Sequence, residues 1–261
     1  MNTETTTRPR VRIGMAHRGG TEPPYADGAY VHRHGERVCA AVVDGAGHDQ
    51  DVVDYARHVP PTIALTTMTM GGLVGLITAG RMAYAYDPVR PPHVSAVVAT
   101  MEPGRPTSVH WVGDCPLLGW DGEKLTRYTT DQTMGEWLRR NSGKSIEIIP
   151  AEVAAAQDNW VRLGLAEATE MTCRQVQVPE DVPLLLLVSD GVTDQVDREA
   201  AEALCRRYAG DPQALADALV AAAEGTKDEK GELYRDDATV VVLSTLGPAA
   251  ALPAASGAAQ G

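Results

Sequence analysis

The chain has 261 residues, 44% of them apolar, enough to bury the core of one large domain. With 35 acidic against 23 basic residues its formal charge is −12, a field that repels phosphodiester backbones and argues against a nucleic-acid partner. Four cysteines, Cys39, Cys115, Cys173 and Cys205, lie far apart with no C-x-x-C spacing, so buried reduced thiols in a cytoplasmic protein are expected rather than a zinc site or redox pair.

The first ten residues, MNTETTTRPR, are polar, lack the apolar stretch of a secretory signal and read as a flexible N-terminus. Residues 247–261 are low-complexity Ala/Gly/Pro and read as a disordered tail, leaving 11–246 as one domain. Short β-type runs come first: VRIGMAH, GAYVHR and RVCAAVV. A long helical region follows from Asp49 to about Tyr86, and Pro60-Pro61 predicts its division into a short helix and a longer one. Its stretch from Thr62 to Gly80 carries no charge and could reach across a bilayer, but five threonines and four glycines favour a buried core helix over a membrane span.

Strand patterns resume at HVSAVVATM and TSVHWVG, then at CPLLGW and KLTRYT around Asp121-Gly122, the strongest hairpin signal in the chain. Residues 131 to about 170 lack clear periodicity and read as helix pieces with a surface insertion at about 141–170. MTCRQVQV, the apolar run LLLLVSD, two helical segments from Asp197 to about Glu224 and the strand ATVVVLST close the domain. This order is α+β, and its apolar faces ask for packed sheets with helices outside.

Four Asp-Gly pairs occur, and each is first a turn signal. Two differ in what precedes them: Asp44 ends CAAVV and Asp190 ends LLLLVS. An ionised carboxylate at the end of a buried strand is costly unless a cation or donors compensate it, so one cation site could serve both. Asp236-Asp237, just before ATVVVL, adds a third carboxylate at a sheet end. Oxygen-only ligation suits magnesium or manganese; His32-x-His34 lacks a third ligand nearby, and zinc is not expected.

The order and setting of these carboxylates resemble the metal-dependent protein phosphatase family, the type 2C serine/threonine phosphatases in their bacterial form, over nearly the whole domain. AAVVDGAG, HWVGDCPLLGWDGEKLTRYTTDQT, LLLVSDGVTD and RDDATVVVL are similar, in that order, to the family's four motif segments. The resemblance implies a four-layer α-β-β-α sandwich, two antiparallel sheets flanked by helices. It also implies hydrolysis of phosphoserine and phosphothreonine in proteins by a water that two divalent cations, Mn or Mg, activate. Carried over by position, Asp44 bridges both metals, the Gly45 carbonyl ligates one, and Asp190 and Asp236 complete the set, with Asp237 on the family's Asn. Asp27 corresponds to a residue that acts through metal-bound water, and Asp114 and Asp194 to residues holding a third, weaker metal.

Some positions depart from the family. Glu22 stands where an arginine usually grips phosphate, which makes Arg18, four residues further back, the candidate phosphate-binding residue. Ala26 replaces a Glu or Gln, Ala46 replaces a histidine of animal members, His48 reads as an exposed loop residue, and Cys115 follows Asp114 in place of serine. The insertion corresponds to the family's variable flap. The implied partners are phosphoprotein substrates, including targets of a serine/threonine kinase, met by a cytoplasmic monomer with no membrane contact; a regulatory phosphatase acting on a sigma-factor antagonist is a narrower alternative. A phosphatase-like binding or regulatory module with weak or no catalysis is the alternative.

Overall fold

The structure, a computed structural model, describes residues 10–227 and 231–247. Apart from Arg10 and Gly247, the expected flexible N-terminus and disordered tail lie outside the described residues. In chain order the elements are β1 (Arg12–Arg18), β2 (Gly28–His34), β3 (Arg37–Gly45), α1 (Gln50–Met70), α2 (Gly72–Ala83), β4 (Val94–Met101) and β5 (Thr107–Val112). Next come β6 (Leu117–Trp120), β7 (Leu125–Arg127), α3 (Met134–Asn141), α4 (Ala151–Ala155), β8 (Arg174–Val178) and β9 (Leu184–Val188). The last are α5 (Asp190–Thr193), α6 (Arg198–Tyr208), α7 (Pro212–Ala222), β10 (Thr226–Lys227), β11 (Leu233–Tyr234) and β12 (Ala238–Ser244).

Strand side chains alternate between faces, and in β3, β4, β9 and β12 both faces are covered, which explains their uninterrupted apolar runs. One antiparallel sheet has the order β1-β12-β9-β6-β7 and the other β2-β3-β4-β5-β8. Leu185 and Leu187 of β9 and Val241 and Leu243 of β12 meet Val38, Ala40 and Val42 of β3 between the sheets. The alternate residues Leu184, Leu186, Val188, Val240 and Val242 face α6 and α7. Cys39, Ala41 and Val43 face α1 and α2 on the opposite outer side. The result is the expected four-layer α-β-β-α sandwich.

The hairpin around Asp121-Gly122 forms as expected: Asp121 Oδ1 accepts the amide protons of Glu123 and Lys124, both at 2.9 Å. The helix break does not fall where the prolines predict it. Helix α1 runs through Pro60 and Pro61 and stops at Gly71, whose φ of 94° ends it. Proline cannot donate to the carbonyl four residues back, so Ala56 loses a partner. That carbonyl lies against Gly28 of β2, where a Cβ would collide with it. The helix is held instead by its buried face, which includes Val52, Tyr55, Val59 and Ile63. Gly28→Ala is therefore expected to cost about 1–3 kcal/mol in urea denaturation, because either the strand or the helix must shift.

Among the described residues no helix is long and apolar enough to cross a membrane. The uncharged stretch is divided between α1 and α2, whose residues Ile63, Ala64, Leu76 and Ala79 are fully buried. All four cysteines are free and buried.

Candidate metal centre

The antiparallel pairings bring the predicted carboxylates to one end of both sheets. Asp44 leaves the C-terminal end of β3, next to the start of β2, since Gly28 pairs with Val43. On its other side Asp44 pairs with Ser95 at the start of β4, and the end of β5 lies beside it through Ala96 and Val112. Asp27 and Asp114 therefore arrive at the same edge. In the other sheet Val188 pairs with Val240, which sets Asp190 beyond the end of β9 near Asp236 before β12. A cavity of about 490 Å³ opens there, lined by Asp44, Gly45, Asp114, Asp190, Asp194 and Asp236.

The carboxylates are held by donors and by each other. Asp44 Oδ2 accepts the Asp190 amide at 3.3 Å, tying the ends of the two sheets together. Asp114 Oδ1 accepts the Ser95 hydroxyl at 2.7 Å. Asp27 is buried behind the wall, where Oδ2 accepts the Thr239 hydroxyl at 2.7 Å. Desolvation pushes Asp44 well above the usual carboxylate range, with repulsion from Asp27 next, and it does the same to Asp190, with repulsion from Asp44 next. No arginine or lysine lines this cavity among the described residues. His48 does line it; its Nδ1 donates to the Pro24 carbonyl at 2.9 Å and its Nε2 lies 3.8 Å from Glu22.

The carboxylates and the Gly45 carbonyl on this lining offer oxygen donors, with no arginine or lysine among the described lining residues, which fits a hard divalent cation better than zinc. Among the described residues, however, no three His, Cys, Asp or Glu side chains close into a cluster that would hold an ion. The fit therefore rests on composition, charge and the shared cavity. The Gly45 carbonyl is available on the same lining.

Arg18 does not serve as expected. It ends β1 opposite Ala238, and its Nη1 donates to the carbonyls of Val220, Ala221 and Ala223 at the C-terminus of α7. Unpaired carbonyls at a helix end attract a guanidinium, and that interaction keeps Arg18 off the carboxylate cavity. Glu22 occupies the lining instead.

The neighbours Asp236 and Asp237 have different surroundings. Asp237 is 4% exposed, and its oxygens accept the amides of Gly20 at 2.6 Å and Ala26 at 2.7 Å, pinning the loop between β1 and β2. Asp236 lines the cavity. Asp237→Ala is expected to lower stability by about 2–4 kcal/mol through loss of two charge-assisted bonds. Asp236→Asn in chelator should stay within about 0.5 kcal/mol of the parent, as thermal denaturation of both variants would reveal.

Several lining residues carried no sequence signal as site residues: Ser95, Asn159, Gln195, Thr226 and Tyr234. Ser95 is the most legible of these, a hydroxyl inside the apolar run of β4, directly opposite Asp44. Thr226 and Tyr234 pair across the short hairpin β10-β11, and Asn159 follows α4.

Residues 138–246, which include Asp190, Asp194 and Asp236, match the family model described as Stage II sporulation protein E (SpoIIE). No curated protein matches the chain. A bacterial serine phosphatase structure superposes with a TM-score of 0.72 at 15% identity, covering 92% of this chain and 100% of that one. The serine/threonine phosphatase Stp1 from Staphylococcus aureus gives 0.72 at 16% identity, covering 91% and 96%. The Mycobacterium tuberculosis serine/threonine phosphatase PstP/Ppp gives 0.66 at 20% identity, covering 90% and 98%. The chain has the fold of these phosphatases.

Proposed function

We propose that this chain is a metal-dependent phosphatase that hydrolyses phosphoserine and phosphothreonine in proteins. The observation that carries the reading is the gathering of Asp44, Asp114, Asp190, Asp194 and Asp236 in one cavity with no arginine or lysine on its lining, in a phosphatase fold. Asp44, Asp190, Asp236 and the Gly45 carbonyl would hold two divalent cations, Mn or Mg, and Asp114 and Asp194 a third. When bound, such ions polarise phosphoryl oxygens and make water a nucleophile at neutral pH.

The chain's own groups prepare that site. The Asp190 amide orients Asp44, and the Ser95 hydroxyl orients Asp114. Asp27, fixed by Thr239, acts from behind the lining rather than on it, in keeping with a role through water. Thr226, Tyr234, Asn159 and Val161 also line the cavity. Substrates would be phosphoproteins, including targets of a serine/threonine kinase, and the buried free cysteines suit the cytoplasm.

One observation favours a second reading, a phosphatase-like binding or regulatory module. Arg18 is engaged by α7, and no other arginine or lysine lines the cavity among the described residues. Hydrolysis of an aryl phosphate and a phosphothreonine peptide, with manganese or magnesium and with chelator, decides between them. Metal-dependent phosphate release supports the enzyme, and release that persists in chelator contradicts the metal mechanism. A folded protein inactive with every divalent metal is the module.

A further inference from the structure

A phosphoprotein needs cationic contacts somewhere, and the carboxylate cavity offers no arginine or lysine on its lining. They lie next door. A second cavity of about 610 Å³ is lined by Trp111, Asp131, Trp137, Arg140, Arg162 and Arg174, among others. Three of its charges are already matched: Arg140 bonds Glu136, which also lines the cavity, at 2.6 Å, and Asp131 pairs with Arg127. Arg162 and Arg174 have no carboxylate partner among the described residues. The Arg162 guanidinium lies 6.0 Å from the centre of the Trp137 ring, at the outer reach of a cation–π contact, and the residue is exposed.

The two cavities share a thin wall. Thr133 and Val161 form a β-bridge across it, and the Arg162 amide donates to the Gln132 carbonyl at 3.0 Å. Val161 lines the carboxylate cavity and its neighbour Arg162 lines the second, as the alternation of an extended chain requires. Gln132 lines the second cavity, and its Oε1 accepts the amide of Gly113, the residue before Asp114, at 2.8 Å. Exposed arginines are ordinarily just solvated. In a chain of net charge −12, two unmatched ones in a concave site beside two tryptophans form a local reversal of sign.

We propose that this second cavity is a docking subsite in which Arg162 and Arg174 clamp an acidic side chain of the substrate protein while its phosphorylated residue enters the carboxylate cavity. The proposal rests on the phosphatase reading for its substrate class. Guanidinium groups bind carboxylates through paired N–H bonds, so the subsite selects acidic sequence near the phosphorylated residue.

The test is fluorescence anisotropy with two labelled peptides bearing a non-hydrolysable phosphonate in place of phosphothreonine. One carries three glutamates on each side, and the other carries alanines there. The wild-type chain is expected to bind the glutamate peptide about tenfold more tightly or better. The double variant Arg162→Ala/Arg174→Ala should abolish that preference, and Arg162→Lys/Arg174→Lys should restore part of it. Equal binding of the two peptides by the wild type overturns the proposal. So does a preference that survives loss of both arginines. Wild-type hydrolysis of aryl phosphate, read in parallel, reports on the phosphatase reading alone: its failure removes the enzyme, while anisotropy still decides the subsite.

Discussion

Asp44→Asn is expected to lower kcat/KM for an aryl phosphate by about a hundred- to a thousandfold with little change in the fold. Asp44 occupies the centre of the site, between Ser95 on its own sheet and the Asp190 amide from the other. Asparagine keeps the acceptor that this amide needs and removes only the charge, so the loss reports on the charge. Asp27→Asn should cost less, about ten- to a hundredfold, because that carboxylate lies behind the cavity on Thr239. Steady-state kinetics in manganese check both. An Asp44→Asn protein within about threefold of the parent would remove Asp44 from the chemistry, since even an outer partner of a metal site costs more.

Addition of manganese should raise the melting temperature by roughly 5–10 °C, the shift that about 2.7 kcal/mol gives a domain of this size at a hundred times the dissociation constant. Desolvation raises both Asp44 and Asp190, with repulsion from Asp27 next for Asp44 and from Asp44 next for Asp190, so a divalent cation held by these carboxylates would relieve an electrostatic cost already built into the fold. The same logic reverses the order of two proteins. In chelator Asp190→Asn should melt above the parent by a few degrees, through about 1–2 kcal/mol of relieved repulsion, and in manganese it should melt below it. Scanning calorimetry at pH 8 measures both shifts. An Asp190→Asn protein that melts below the parent in chelator would mean that the carboxylate is structural.

The architecture was legible because its strands are buried on both faces. Runs such as LLLLV and ATVVVL have few alternative fates in a chain of this composition, and the alternation that separates inter-sheet from helix-facing residues follows from strand geometry alone. That Asp44 and Asp190 would arrive at one edge was legible for the same reason: a carboxylate that ends an apolar strand is conspicuous, and both line the one cavity. Asp236 was not separable from Asp237 by pattern, because the distinction depends on which one the loop amides of Gly20 and Ala26 reach. Arg18 was misplaced because sequence spacing does not reveal that α7 presents open carbonyls beside β1. Pro60 and Pro61 misled in the same way, since tertiary packing of α1 overrides the local cost of a proline. Other lining residues come from the segment that holds Asn159 and Val161 and from a hairpin whose strands are two residues long, segments without periodicity to read.

The central claim is that the cavity at the shared end of the two sheets binds divalent cations through Asp44, Asp190 and Asp236. Anomalous diffraction from crystals grown in manganese tests it most directly. The expected result is anomalous density bounded by those three carboxylates and the Gly45 carbonyl, absent from crystals of the Asp190→Asn protein. Manganese density elsewhere in the molecule, with none in this cavity, would contradict the account.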